Sequence, residues 1–353
     1  MRDHESVTEN ILIVKTSAIG DVTHTLPALY ALRHQYPKAR ITWLVEEASA
    51  DLISNHPLLD RVLVSRRKSW LRDLRSRHCL AAIREIVRFV HQVRDTRYDL
   101  LIDFQNLLKS GIFVGLARAE RKAGFGRGME HSEFSYLFLN KRVPAVDMNI
   151  HAARRELMLL ETLGVDTATA SYDLPVAPAD RQNIDDMLAS HSILGGDRVV
   201  AINPMATWET KLWSEDGFAR VADELLQYGV KVVFTGSRDD RPAVAAIIRL
   251  MSGTGINLAG RTTLKTLAAL FKRADLVIST DTGPMHIAAA VGTPVVALFG
   301  PTSALRTGPF GAGHQVLQAD LHCVPCLRRR CATIECMAKI SVQQVVTAVR
   351  KVL

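Results

Sequence analysis

The chain has 353 residues, 48% of them hydrophobic and 23% charged, with a formal net charge of +8 and a pI near 9.4. That length suffices for two α/β domains with separate cores, and the composition excludes a disordered or fibrous chain. No stretch approaches the ~20 apolar residues that span a bilayer, and the opening MRDHESVTEN has no apolar signal core. A cytosolic protein is expected.

In chain order, Ile11–Lys15 is the first expected strand, apolar and β-branched on both faces as in a buried parallel sheet. Ile41–Val45, Arg61–Val64 and Tyr98–Phe104 follow as strands, with helical patterns at Leu80–Val93 and Leu107–Ala117. The stretch SYDLPVAPADRQN, residues 171 to 183, is expected to be a linker, because Pro175 and Pro178 interrupt both periodicities. The second half repeats the rhythm with strands at Arg198–Asn203, Lys231–Gly236, Ala274–Thr280 and Pro294–Phe299. Its helix Ser214–Tyr228 has Ser214 as N-cap and Gly229 beyond its end. Alternating strands and helices predict an α/β fold. Two doubly wound, Rossmann-like domains of parallel sheet, 1–175 and 176–353, are expected to face each other across a cleft.

Ligands of such sheets bind beyond the carboxyl ends of the strands, so the residues there carry the chemistry. After Ile11–Lys15 comes TSAIGD, in which Asp21 is either a helix-capping acid or a catalytic carboxylate. The dinucleotide fingerprint G-x-G-x-x-G is absent after this strand. GFGRG at 124–128 has its third glycine one place early and lacks a strand before it. A Walker A loop is absent too, which disfavours simple dehydrogenases and P-loop NTPases.

The segment ADLVISTDTGPMHIAAAVGTPVVALFGPT, residues 274 to 302, reads as a buried strand, a turn at Asp281, Thr282 and Gly283, and a helix opened by Pro284. A helix N-terminus offers free N–H groups and a positive dipole end, a site for phosphate. His286 lies in its first turns, as a ligand contact or a packing histidine. In NPMATWETKLWSEDGF, Thr207 supplies a hydroxyl and Lys211 a point charge suited to a diphosphate. Asp239 and Asp240, after Gly236, are placed to accept from a ribose or to start a helix.

The stretch SRRKSWLRDLRSRH, residues 65 to 78, holds Arg66, Arg67 and Lys68. Arg121, Lys122 and Arg127 extend the same basic character. By composition alone such a run suits nucleic acid, a solvated loop, or an acidic ligand near an anionic membrane face. Cys323, Cys326, Cys331 and Cys336 form C-x2-C-x4-C-x4-C, which suits a tetrahedral structural zinc or a set of packing thiols. The spacing is short for a zinc ribbon, and a reducing cytosol argues against a disulfide framework.

Taken together and in order, KTSAIGDVTHTLPAL, DFQNLLKSG, TKLWS, FTGS and DTGPMHIAAAVGTPVVALFGPT resemble the lipopolysaccharide heptosyltransferases of glycosyltransferase family 9. The phrasing of the first three is closest to heptosyltransferase I. The resemblance implies the GT-B fold, with an N-terminal acceptor domain and a C-terminal nucleotide-sugar domain. It implies inverting, metal-independent transfer of L-glycero-D-manno-heptose from ADP-heptose to the Kdo region of a Kdo–lipid A type acceptor, with no cofactor. Asp21 would be the general base. Thr207, Lys211, Asp240, Asp281, Thr282, Gly283 and His286 would hold the donor, with Ala206 replacing a threonine of some relatives. Arg66, Arg67, Lys68 and Arg127 are then expected to meet the acidic acceptor and the anionic inner leaflet rather than nucleic acid. The protein would be cytoplasmic, with peripheral contact on the inner face of the membrane. A sugar-nucleotide epimerase of the same fold, or a transferase with another core acceptor, is the alternative.

Overall fold

The structure, a computed structural model, describes residues 8–130 and 133–353. Most of the opening segment read for a signal core lies outside them. The chain divides into two compact units, Met1–Ser171 and Tyr172–Leu353.

The first unit is a six-stranded sheet of β1 (Asn10–Val14), β2 (Arg40–Glu46), β3 (Arg61–Ser65), β4 (Arg97–Asp103), β5 (Arg118–Phe125) and β6 (Lys141–Val143). Their order is β3-β2-β1-β4-β5-β6, and every neighbouring pair is parallel. Ile11 to Val14 are fully buried because β1 is central and covered on both faces. The winding reverses between β1 and β4, so the loops leaving these two strands diverge and open a ligand position at the carboxyl edge.

On one face, Leu12, Val14, Leu44 and Leu101 pack with Trp70, Phe89 and Phe113. The ring centroids of Trp70 and Phe89 stand 5.1 Å apart, and those of Phe89 and Phe113 5.8 Å. Truncating Phe89 to alanine would cost about 3–5 kcal/mol. This contact argues against the alternative that the basic stretch is a solvated loop. Arg67–Asp73 is a helix, folded because Trp70 turns its ring into the core while its Nε1 donates to Glu85 at 3.0 Å.

The second unit contains β7 (Val199–Asn203), β8 (Lys231–Phe234), β9 (Ile256–Asn257), β10 (Leu276–Thr280), β11 (Val295–Phe299) and β12 (Gln315–Gln318). Its order, β12-β11-β10-β7-β8-β9, repeats the first unit's winding, again wholly parallel, with the reversal between β7 and β10. The helix Glu215–Gln227 begins at Ser214, whose Oγ accepts the Gly217 N–H at 2.8 Å, and the chain turns beyond it at Gly229, φ +71°.

Two expectations need correction. The second half of the expected linker is helix, Pro178–Ala189, because Pro178 sits where a first-turn proline costs no hydrogen bond. GFGRG does close a strand, β5, but a turn follows instead of a helix N-terminus. Among the described residues no helix is long and apolar enough to cross a membrane.

Candidate active site

In the first unit the loop after β1 is held by residues that follow β4. The Oε1 of Gln105 accepts from the Thr16 N–H at 2.9 Å, the Thr16 hydroxyl at 3.0 Å and the Ser17 N–H at 2.9 Å. Lys109 donates to the Ser17 hydroxyl. The loop leads into the helix Ile19–His24, whose third residue is Asp21. One Asp21 oxygen, Oδ2, accepts the Ala18 N–H at 2.8 Å and closes the first turn. Its Oδ1 has no hydrogen-bond donor among the described residues, and the side chain is half-buried. The oxygen that caps the helix is thus distinct from the one left open.

Charged groups crowd this edge. Lys15 is buried, with its Nζ 2.7 Å from Glu156 Oε1 and 3.0 Å from the Phe104 carbonyl. Burial opposes its charge, but the Glu156 and Asp21 carboxylates outweigh burial and hold its pKa above the usual lysine value. Asp103, also buried, has its pKa pushed up to about 6 by desolvation, against which the Gln105 N–H and the Ser110 hydroxyl, each at 3.0 Å, work only partly. Lys109 is shifted down, chiefly by burial. Lys15, Asp103, Gln105, Lys109 and Glu156 received no role from sequence. For Lys15, Asp103 and Gln105 the one signal was polar residues set at the ends of two apolar strands, whereas Lys109 and Glu156 lie in the helices Leu108–Leu116 and Ala152–Thr162 and carried none.

The basic residues are less free than composition suggested. Arg66 reaches Glu47 at 3.0 Å and Glu85 at 3.2 Å. Arg67 reaches the buried Glu46 at 3.1 Å, which also lies 3.8 Å from Lys109. Lys68 is exposed and makes no ion pair among the described residues, and Arg127 is exposed in the turn after β5. All four therefore lie in segments leaving the carboxyl ends of β3 or β5.

In the second unit the turn after β10 and the loop after β7 converge. Lys211 Nζ is 2.6 Å from Asp281 Oδ2 and donates to the Asp281 carbonyl at 3.2 Å. The same Oδ2 accepts the Thr302 hydroxyl at 2.5 Å. Asp281 is buried, so its carboxylate acts as an anchor that fixes the lysine. Thr282 is the N-cap of the helix Gly283–Ala290, with Pro284 in its first turn. His286 is buried in that helix, and its carbonyl accepts from the Tyr172 hydroxyl at 3.2 Å. The loop after β7 is pinned where Asn203 Nδ2 and the Thr280 hydroxyl donate to the Met205 carbonyl, at 3.2 and 3.3 Å.

Thr207 is exposed on this loop beside Trp208, whose ring centroid lies 4.6 Å from Lys211 Nζ. Asp240 sits at the carboxyl edge of the adjoining strand β8. Its Oδ2 accepts the Ser237 N–H and hydroxyl, both at 2.7 Å, while Asp239 is exposed. The structure thus brings Lys211, Asp281, Thr282, Gly283 and His286 together and places Asp240 one strand away.

The four clustered cysteines are free thiols, Cys323 and Cys331 exposed and Cys336 buried. Among the described residues no group of three or more His, Cys, Asp or Glu is placed to hold a metal ion. The cysteine pattern is therefore not assembled as a tetrahedral set.

A family model for glycosyltransferase family 9 (heptosyltransferase) matches residues 86–336. The chain is 30% identical over 324 residues to lipopolysaccharide heptosyltransferase 1 of Pseudomonas aeruginosa, covering 91% of this chain and 87% of that one. It is 28% identical over 304 residues to the lipopolysaccharide core heptosyltransferase OpsX of Haemophilus influenzae, covering 86% and 82%. In fold it is similar to the Escherichia coli heptosyltransferase WaaC solved with ADP, with a TM-score of 0.80 at 23% identity, over 98% of this chain and all of that one.

Proposed function

Because the chain belongs to glycosyltransferase family 9, the heptosyltransferases, we propose that it moves L-glycero-D-manno-heptose from ADP-heptose to the Kdo region of a Kdo–lipid A type acceptor, with inversion and without a metal. The first unit holds the acceptor and the second the nucleotide sugar. The observation that carries this reading is the convergence of Lys211 with the N-terminal turn of the helix Gly283–Ala290. A lysine fixed by a buried carboxylate and a helix N-terminus both direct positive charge to one place, which suits a departing diphosphate. The ADP with which WaaC was solved supports the same donor class.

The chemistry follows from these groups. Asp21 Oδ1 takes the proton of the acceptor hydroxyl as its oxygen attacks the anomeric carbon from the face opposite the diphosphate. The carbon–oxygen bond to the diphosphate breaks with its electron pair on the leaving group. Lys211 and the helix N–H groups, with Thr207 and Thr282 as hydroxyl donors, stabilise that charge. Asp240, released from Ser237 or alongside it, accepts from the ribose, with Asp239 as its neighbour. Arg66, Arg67, Lys68 and Arg127 meet the acidic acceptor and the anionic inner leaflet.

The test is release of nucleoside diphosphate by purified protein from a panel of nucleotide sugars, with and without Kdo-bearing acceptor. Acceptor-dependent release from ADP-heptose, with an inverted anomeric linkage in the product, is expected. Interconversion of a nucleotide sugar without acceptor would favour an epimerase instead.

A further inference from the structure

We propose that Arg329 is a second cationic contact for the donor diphosphate, an inference that rests on the donor-site reading above. The charge of Lys211 is already opposed by Asp281 at 2.6 Å. A helix N-terminus adds only about half an elementary charge. A diphosphate leaving group carries more negative charge than these two can balance, so a further cation at this edge would stabilise it.

Arg329 stands in the right place. Its Cζ lies 4.9 Å from the centroid of the Trp208 ring, the same ring that Lys211 Nζ approaches to 4.6 Å. Trp208 thus gathers two cations on the loop that also carries Thr207. Arg329 is exposed and makes no ion pair among the described residues, so its guanidinium keeps its donors for a ligand.

The segment that carries it is moored at two sides. The Thr210 hydroxyl donates to the Arg328 carbonyl at 2.8 Å, tying the segment to the loop after β7. The Cys326 and Leu327 N–H groups donate to the Pro301 carbonyl at 3.0 and 2.9 Å, tying it to the loop after β11. Beyond it, Cys336 and Met337 enter the core. These ties give the arginine-rich part of the cysteine segment a role that needs no metal ligation: it presents Arg329 beside Lys211.

The experiment compares binding of ADP, AMP and inorganic pyrophosphate to the unaltered protein and to R329A, R329K and K211A, with melting temperature as a check on folding. R329A is expected to weaken ADP and pyrophosphate about tenfold, the loss of a charge-assisted contact. AMP should change little, R329K should recover part of the loss, and the melting temperature and acceptor KM should hold. If K211A weakens ADP while R329A binds it as the unaltered protein does, this inference alone falls. Equal losses for AMP and ADP in R329A would mark a packing role and overturn it too. If the unaltered protein binds neither diphosphate, or K211A and R329A both leave binding intact, the donor-site reading fails and takes this inference with it.

Discussion

Asp21 Oδ2 accepts the Ala18 N–H at 2.8 Å, and an asparagine at this position keeps an oxygen able to do the same. What the amide cannot do is take a proton. Asp21→Asn should therefore fold normally and bind donor as before, while kcat falls about 10²–10⁴-fold. Undiminished turnover with acceptor present would remove Asp21 from the mechanism. Lys211 differs, because in the proposed mechanism its charge would meet the diphosphate both in the ground state and during departure. Lys211→Ala should raise the donor KM and lower kcat together, by about 10²–10³-fold in kcat/KM. Part of that loss comes from leaving Asp281 buried with only Thr302 as a partner. A change confined to the acceptor KM would place Lys211 elsewhere.

The loop between β1 and the helix Ile19–His24 is an element held from outside itself, by Gln105 and Lys109 after β4 and by the buried Lys15–Glu156 pair. Lys15→Met would strand a carboxylate in the interior and should cost about 3–5 kcal/mol, read as a lowered denaturant midpoint. A midpoint within error of the parent would mean that Glu156 takes up a proton or a water at little cost.

Asp103 gives the same region a pH dependence. Burial raises its carboxyl to about 6 from an ordinary value of 3.8, so the folded chain binds this proton more tightly than the unfolded chain does. Its contribution is fully present below the unfolded value and is lost as the pH rises through about 6. Asp103→Asn cannot ionise. Its melting temperature minus that of the parent should grow more positive between about pH 4 and about pH 7. A flat difference across that range would show that Asp103 is ionised at its ordinary value.

Over the whole molecule the net charge of +8 is the property that an anionic acceptor and membrane face would read. Arg66 and Arg67 spend part of their charge on Glu46, Glu47 and Glu85, whereas Lys68 is exposed and unpaired among the described residues. Neutralising all three should raise the acceptor KM and leave donor affinity alone. The effect should shrink at high salt, where exposed charges are screened beyond ~8 Å at physiological ionic strength and less at higher. Unaltered acceptor kinetics at low salt would return the helix Arg67–Asp73 to a structural role. A steeply salt-dependent affinity for nucleic acid, falling with each charge removed, would instead revive the composition-based reading.

The sequence by itself determined what depends on local pattern. Central strands such as β1, β2, β7 and β11 are continuous apolar runs, so their burial and parallel pairing were legible, as was the Ser214 cap. Strands away from the sheet centres were less so: β5, between β4 and β6, begins as RAERK, with an exposed charged half, and the edge strand β9 has two residues. Such strands are specified by the neighbour that pairs with them rather than by their own periodicity. The motif residues Asp21, Lys211 and the Asp281–Gly283 turn stand out because a small polar segment interrupts an apolar run. Their partners do not, since Gln105 lies 89 residues from Thr16, Glu156 lies 141 from Lys15, and Asp281 lies 70 from Lys211. Only the tertiary fold brings those pairs within hydrogen-bond reach: the doubly wound sheet sets the ends of β1 and β4 side by side and likewise β7 and β10, and the helix Ala152–Thr162 that carries Glu156 packs on the helices after β1. Pairing across such separations is a property of strand order and helix packing, which no short window of sequence contains.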